Sequence, residues 1–220
     1  MPLPFAAISQ AALPPQPLFL VEEFNHRVLN EYAEAISTLA LAAAAAPDLR
    51  SELALTTAAI RLRAHADAHR ALQAPIYDGP MDLADYIAQL CASLSKAQLA
   101  ERGVRLTVRA DEVWLDTGRG WRVGLIVAEL IRNAARHGLA GGPGAIGVEI
   151  VERADSISCA VFDNGQGVSA PAVGRGRRVV ASLAEELGGA VDWSFAPTGC
   201  CARLEFPRFR QLGAEESHRG

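Results

Sequence analysis

Glu129, Asn133 and His137, spaced four apart in VAELIRNAARHGL, share one face if that run is helical. A carboxylate and a carboxamide on one face, beside a glycine-rich segment, suit a hydrated Mg²⁺. That ion keeps several waters and takes few protein ligands beside nucleotide phosphates. Alone, the triplet fits a solvated polar face equally well. A second group, Asp163-Asn164-Gly165-Gln166-Gly167, directly follows a strand-like run. An aspartate at a strand end can accept a hydrogen bond from an exocyclic amine such as that of adenine. The two glycines let backbone approach a ligand, although an ordinary turn would use the same residues. In a third group, Gly174-Arg175-Gly176 opens the helical run RRVVASLAEELGG. Its N–H groups and helix dipole favour phosphate, and Arg175, Arg177 and Arg178 add positive charge.

The elements that must hold these groups follow from periodicity. A leader over 1–17, with Pro14, Pro15 and Pro17, opposes helix. Helical patterns run from 18 to 46 and from 49 to 73, broken at Pro47-Asp48, where Asp48 can cap the second. They predict an antiparallel hairpin, with Leu53, Ile60 and Leu62 among the apolar positions of its second helix. A lone hairpin leaves an apolar stripe exposed, and pairing with a second copy into a four-helix bundle would cover it. After Ala74-Pro75 the pattern becomes mixed. Asp82 caps a helix to about 97, strands follow at 104–109 and 113–115, and a helix spans 117–137. Strands at 146–151 and 157–162, a helix at 177–187 ending at Gly188-Gly189, and a hairpin of 190–195 with 201–206 complete the series. The prediction is an α+β chain: the hairpin, then an α/β sandwich with helices on one face of a mostly antiparallel sheet. The tail, 208–220, reads as disordered.

The order of these groups is more telling than any one of them. E-x3-N on a helix, then strand-DNGxG, then GxG-helix-GG, then Thr198-Gly199 before the final strand resembles the N, G1, G2 and G3 boxes of the GHKL ATPase and kinase superfamily. The resemblance covers residues 75–207. It implies an ATP site with Mg²⁺, in which Asn133 is the metal ligand and Glu129 its neighbour near metal and phosphates. His137 would lie beside the nucleotide, and Asp163 would accept from the adenine amine. Gly165 and Gly167 would shape the adenine side, and Gly174 and Gly176 the hinge of a lid over 168–176.

Glu23-Phe24-Asn25-His26-Arg27-Val28-Leu29-Asn30, on the first long helix, is similar to the ExNHRxKN H-box of HWE-like bacterial sensor histidine kinases. That resemblance implies that His26 is the phosphoacceptor. Imidazole is neutral near pH 7 and offers a lone pair to a phosphoryl group. Glu22 or Glu23 would orient the ring or take its proton. Arg27, Leu29 and Asn30 would meet a response-regulator receiver domain, whose aspartate takes the group onward. His65 and His69, four apart on the second helix, supply only two of the ligands a metal needs.

Three features depart from that pattern. Leu29 replaces the usual lysine of the H-box. Gly174-Arg175-Gly176-Arg177 puts two charges where the G2 box is commonly apolar. The segment between Gly167 and Gly174 is short. They leave open an ATP-independent histidine phosphotransferase with a degenerate GHKL domain, or an anti-sigma-type GHKL protein that acts by docking. Retention of Glu129, Asn133, Asp163 and both G1 glycines favours the kinase.

The bulk numbers restrict the setting. A net charge of −4 gives no reason to expect nucleic acid. Half the residues are apolar, ample for a core, yet the longest apolar run, near Leu41, is too short to span a bilayer. The start carries no basic signal sequence. Cys91, Cys159, Cys200 and Cys201 form no CxxC pair and are expected to be a buried, reduced set. Adjacent Cys200 and Cys201 should face opposite ways in a strand. A cytoplasmic homodimer without its own sensor is the expectation.

Overall fold

A computed structural model describes residues 16–75, 78–166 and 174–208, and side chains from residue 25 onward. Two antiparallel helices come first, α1 (Gln16–Ala44) and α2 (Leu49–Ala71). Asp48 caps α2 as its spacing predicts, accepting from the Ser51 N–H at 2.9 Å and from the Ser51 hydroxyl at 2.8 Å. Small residues, Ala64, Ala66 and Ala68, are buried on α2. Leu41, Leu49, Leu53 and Ile60 stand exposed, so the hairpin does keep an open apolar surface.

The mixed region starts with β1 (Pro80–Asp82), α3 (Leu83–Leu94), β2 (Val104–Ala110), β3 (Trp114–Asp116) and α4 (Thr117–Asn133). It continues through β4 (Gly144–Glu152), β5 (Ser156–Asp163), α5 (Arg175–Glu186), β6 (Ala190–Ala196) and β7 (Gly199–Pro207). The five-stranded sheet runs β2-β4-β5-β7-β6. Only β2 with β4 is parallel, and β1 pairs with β3 in a separate two-stranded piece. Asp82 caps α3 through the Ala84 N–H at 2.9 Å, and Asp116 caps α4 through the Arg119 N–H at 2.8 Å. Alternation on β5 sends Ile157, Cys159, Val161 and Asp163 into the interior. There Ile157, Cys159 and Val161 join Leu83, Ile87, Ile126, Ile131, Leu204 and Phe206 in one core.

Two helices change pitch where the sequence predicts plain continuation. α3 ends in a π turn at Ser95–Leu99, and α4 in a π turn at Ala134–Gly138. The second displaces His137 from the α-helical register of Glu129 and Asn133, and its side chain is exposed. The expected common helical face therefore holds for two of the three residues. The cysteines also depart from expectation. Cys91 and Cys159 are buried, whereas Cys200 and Cys201 are partly exposed on the two faces of a strand covered by helix on one side only. All four are free thiols.

The hairpin meets the mixed region at the end of α2. Trp121 Nε1 donates to the Leu72 carbonyl at 2.9 Å, and the Tyr86 hydroxyl donates to the Ala71 carbonyl at 2.7 Å. Carbonyls at a helix C-terminus lack intrahelical partners, so these bonds fix where α2 stops.

Candidate functional site

A cavity of about 410 Å³ opens between α4, α5 and the sheet. Its polar end is set by Glu129 and Asn133, one turn apart on α4. Glu129 Oε2 accepts from Arg132 Nη2 at 2.7 Å and Nε at 3.1 Å. Its other oxygen, Oε1, lies against Gly176, where any Cβ would overlap it. The glycine there makes room for a carboxylate, not for a turn. Gly174, open on its side-chain side, caps α5, and Arg175 lines the same wall.

Asp163 closes the other end, only 9% exposed. Its Oδ1 accepts from the Gly165 N–H at 2.9 Å and the Cys200 N–H at 3.4 Å. That leaves Oδ2 as the acceptor open to a ligand N–H among the described residues. Three glycines let the backbone pack closely around Asp163. A Cβ on Gly138 would strike its oxygens, one on Gly165 would strike the Gly138 carbonyl, and one on Gly199 would strike the Asp163 carbonyl. Gly199 also has φ +141°, a conformation that side chains rarely adopt. Between the two ends the walls are apolar: Leu130, Ala134, Val161, Trp193, Phe195 and Ala202. Arg177 stacks its guanidinium 4.4 Å from the Trp193 ring centroid and 5.3 Å from that of Phe195. The Cys200 thiol beside it is pushed up to about 11, first by burial and then by the Asp163 carboxylate.

The structure thus brings Glu129, Asn133, His137, Asp163, Gly174 and Gly176 around one cavity, with Gly165 supporting Asp163. Gly167 and residues 168–173 lie outside the described residues. Sequence reasoning missed Trp193, Phe195 and Gly138. The alternation of AVDWSFA along β6 marks both aromatics as inward-facing, but nothing in it marks them as cavity walls. His26 is exposed on α1, as are Arg27 and Asn30, while Leu29 is partly buried. None of these four lines the cavity. The Glu23 side chain lies outside the described set. On α2, the His69 ring lies 6.4 Å from the Tyr32 ring, and its buried Nε2 has no hydrogen-bond partner among the described residues. No cluster of metal-binding side chains occurs among the described residues.

Residues 23–98, which contain both the His26 motif and most of the hairpin, match a family model for histidine kinases, HisKA_2. Over that span the chain is similar to histidine kinases. A curated relative of the chain is Blue-light-activated histidine kinase 2 of Erythrobacter litoralis (strain HTCC2594). It is 24% identical over a match of 201 residues that covers 86% of this chain and 57% of the relative. The chain thus spans little more than half of that protein's length. Solved structures share the fold. The histidine kinase domain of the Erythrobacter litoralis EL346 blue-light activated histidine kinase superposes with a TM-score of 0.56 at 19% identity, over 80% of this chain and 95% of that one. The Acinetobacter baumannii histidine kinase AdeS gives 0.51 at 15% identity, over 84% and 95%. No helix among the described residues is long and apolar enough to cross a membrane.

The residues present fit a nucleotide with a divalent cation. The Asn133 Nδ2 is buried without a hydrogen-bond partner among the described residues, a costly condition that a ligand at this end would relieve. The cavity volume falls in the usual range for a small-molecule site, about 300–1,000 Å³, and its apolar middle with polar ends is the common design.

Proposed function

We propose that this chain phosphorylates its own His26 from ATP and passes the phosphoryl group to an aspartate of a response-regulator receiver domain. The observation that carries this reading is the pairing of ends in one cavity. The Asp163 carboxylate, anchored by two backbone N–H groups, faces the Asn133–Glu129 pair across an apolar, aromatic-walled middle. Asp163 would take the adenine N–H, Trp193 and Phe195 would cover the base, and Asn133 with Glu129 would hold the cation. Bound Mg²⁺ would neutralise charge on the phosphate oxygens. Gly174, Gly176 and Arg175, at the start of α5, would face the phosphates.

In the transfer, the free nitrogen lone pair of His26 forms a P–N bond as the bond from the γ-phosphorus to the bridging oxygen breaks. ADP leaves with that electron pair, and the ring N–H proton departs, to Glu23 or to water. The chemistry depends on placing donor and acceptor in line. His26 is exposed on α1 and does not line the cavity, so the nucleotide-binding region must move towards this helix or that of a second copy. The exposed residues Leu41, Leu49, Leu53 and Ile60 supply an apolar surface for such a homodimer.

The test is incubation with γ-labelled ATP and Mg²⁺, comparing the wild type with His26→Ala and Asn133→Ala. Acid-labile, base-stable label in the wild type and its loss in both variants is the expected result. Label accepted only from a phosphorylated receiver domain, with no nucleotide bound, would replace this reading with the ATP-independent relay.

A further inference from the structure

A second cleft, of about 480 Å³, lies on the other side of α4, between that helix and the end of α3. Glu129, Asn133 and Arg136 line both it and the first cavity, so it opens where the cation and phosphates would sit. Its remaining charged lining is Arg102 and Arg132. Three guanidinium groups therefore face one carboxylate, and Arg132 already pairs with that carboxylate at 2.7 Å. Arg102 and Arg136 are exposed and form no ion pair among the described residues. Both walls end in π turns, Ser95–Leu99 and Ala134–Gly138, a local widening often found at functional sites.

We propose that this arginine cleft is the docking groove for the acidic stretch of α1 around His26, from the same chain or a second copy. The inference rests on the kinase reading, and it names what brings the acceptor to the phosphate end of the cavity. Charge complementarity selects the occupant. Between residues 22 and 34, α1 carries Glu22, Glu23, Glu31 and Glu34 against Arg27 alone. Glu22 and Glu23 precede His26 by one helical turn, so an arginine that receives them sets the imidazole beside Asn133. The hairpin already reaches the rim. Arg61 of α2 pairs with Glu101, the neighbour of Arg102, at 2.9 Å. Opposed charges of this kind steer approach and fix register more than they add affinity.

Arg102 lines the second cleft but not the first, so Arg102→Glu separates docking from nucleotide binding. In the full chain, the initial rate of His26 labelling should fall about tenfold or more while the Mg-ATP affinity, by calorimetry, stays within about twofold. Adding Glu22→Arg, which leaves Glu23 beside the imidazole, should recover part of the lost rate. A fluorescent peptide of residues 16–35 gives a readout that needs no ATP. It should bind the wild type at low salt and bind Arg102→Glu about fivefold more weakly. The proposal falls if the rate is unchanged, if Mg-ATP affinity drops in parallel, if charge reversal restores nothing, or if the peptide binds both proteins equally. A wild type that binds no Mg-ATP sinks the kinase reading, and the peptide then decides the cleft by itself.

Discussion

Arg177 lies over the face of Trp193, its guanidinium carbon 4.4 Å from the ring centroid. At the sequence level this arginine looks like a defect, a charge in a box that usually packs apolar residues. In the fold its flat cation covers the negative face of an indole, and packing is kept although polarity changes. Phe195, 5.3 Å from the same group, extends the platform along β6. The stack holds α5 to the edge strand and so shapes one wall of the cavity.

If that stack joins helix to strand, the two residues must be energetically coupled. Arg177→Ala and Trp193→Ala should each lower stability, and a double-mutant cycle in urea should show coupling of about 0.5–1 kcal/mol. Strictly additive losses would show that the ring and the cation merely lie close together.

Asp163→Asn tests the proposed adenine end with little disturbance to the fold. The amide oxygen can still accept from the Gly165 and Cys200 N–H groups, so the melting temperature should barely move. What changes is the second position, where an acceptor becomes a donor. Mg-ATP should then bind about tenfold to hundredfold more weakly by calorimetry, the cost of one charged hydrogen bond. Unchanged affinity would place the base elsewhere.

Much of this arrangement was legible in the sequence, because periodicity reports burial. The helices, the five strands of the main sheet and the caps at Asp48 and Asp82 follow from apolar spacing and side-chain chemistry. Less visible were features that depend on what lies opposite. β1 has three residues, begins with a proline and exists because β3 pairs with it. The π turn at Ala134–Gly138 occurs in a run, AARHG, whose composition suits an ordinary helix, so the displacement of His137 has no local signature. Gly138 looks like a helix stop, yet its missing Cβ is what accommodates the Asp163 carboxylate. The Trp193–Arg177 stack joins residues from two elements, which no spacing rule connects.

The buried thiols predict how stability responds to base. Burial pushes Cys91 and Cys159 up to about 12 from 9.0. Between those values the unfolded chain gives up protons that the folded protein retains. Stability is therefore full below about pH 9 and declines as pH rises towards 12, by at most about 1.4 kcal/mol per pH unit for each thiol. Urea midpoints at pH 8 and 10.5 should fall less in Cys159→Ala than in the wild type. Equal slopes in the two proteins would rule out Cys159 as a source of the decline.

The junction between hairpin and sheet offers the last test. Trp121 and Tyr86 donate to the carbonyls of Leu72 and Ala71, which end α2 and would otherwise lack partners. Trp121→Phe keeps the aromatic bulk but removes the N–H, and Tyr86→Phe removes only the hydroxyl. Each should cost about 1 kcal/mol, and because the lost bonds lie at one helix end, the damage should be local. Amide exchange should speed up in the last turns of α2, near residues 66–72, and stay unchanged in β5 at the centre of the sheet. On the proposed function, labelling of His26 should slow with it, since α2 is the element through which the mixed region is held to the hairpin. Uniform loss of protection across both regions would mean that these bonds support the whole fold. No change near residue 70 would mean that other contacts hold the junction.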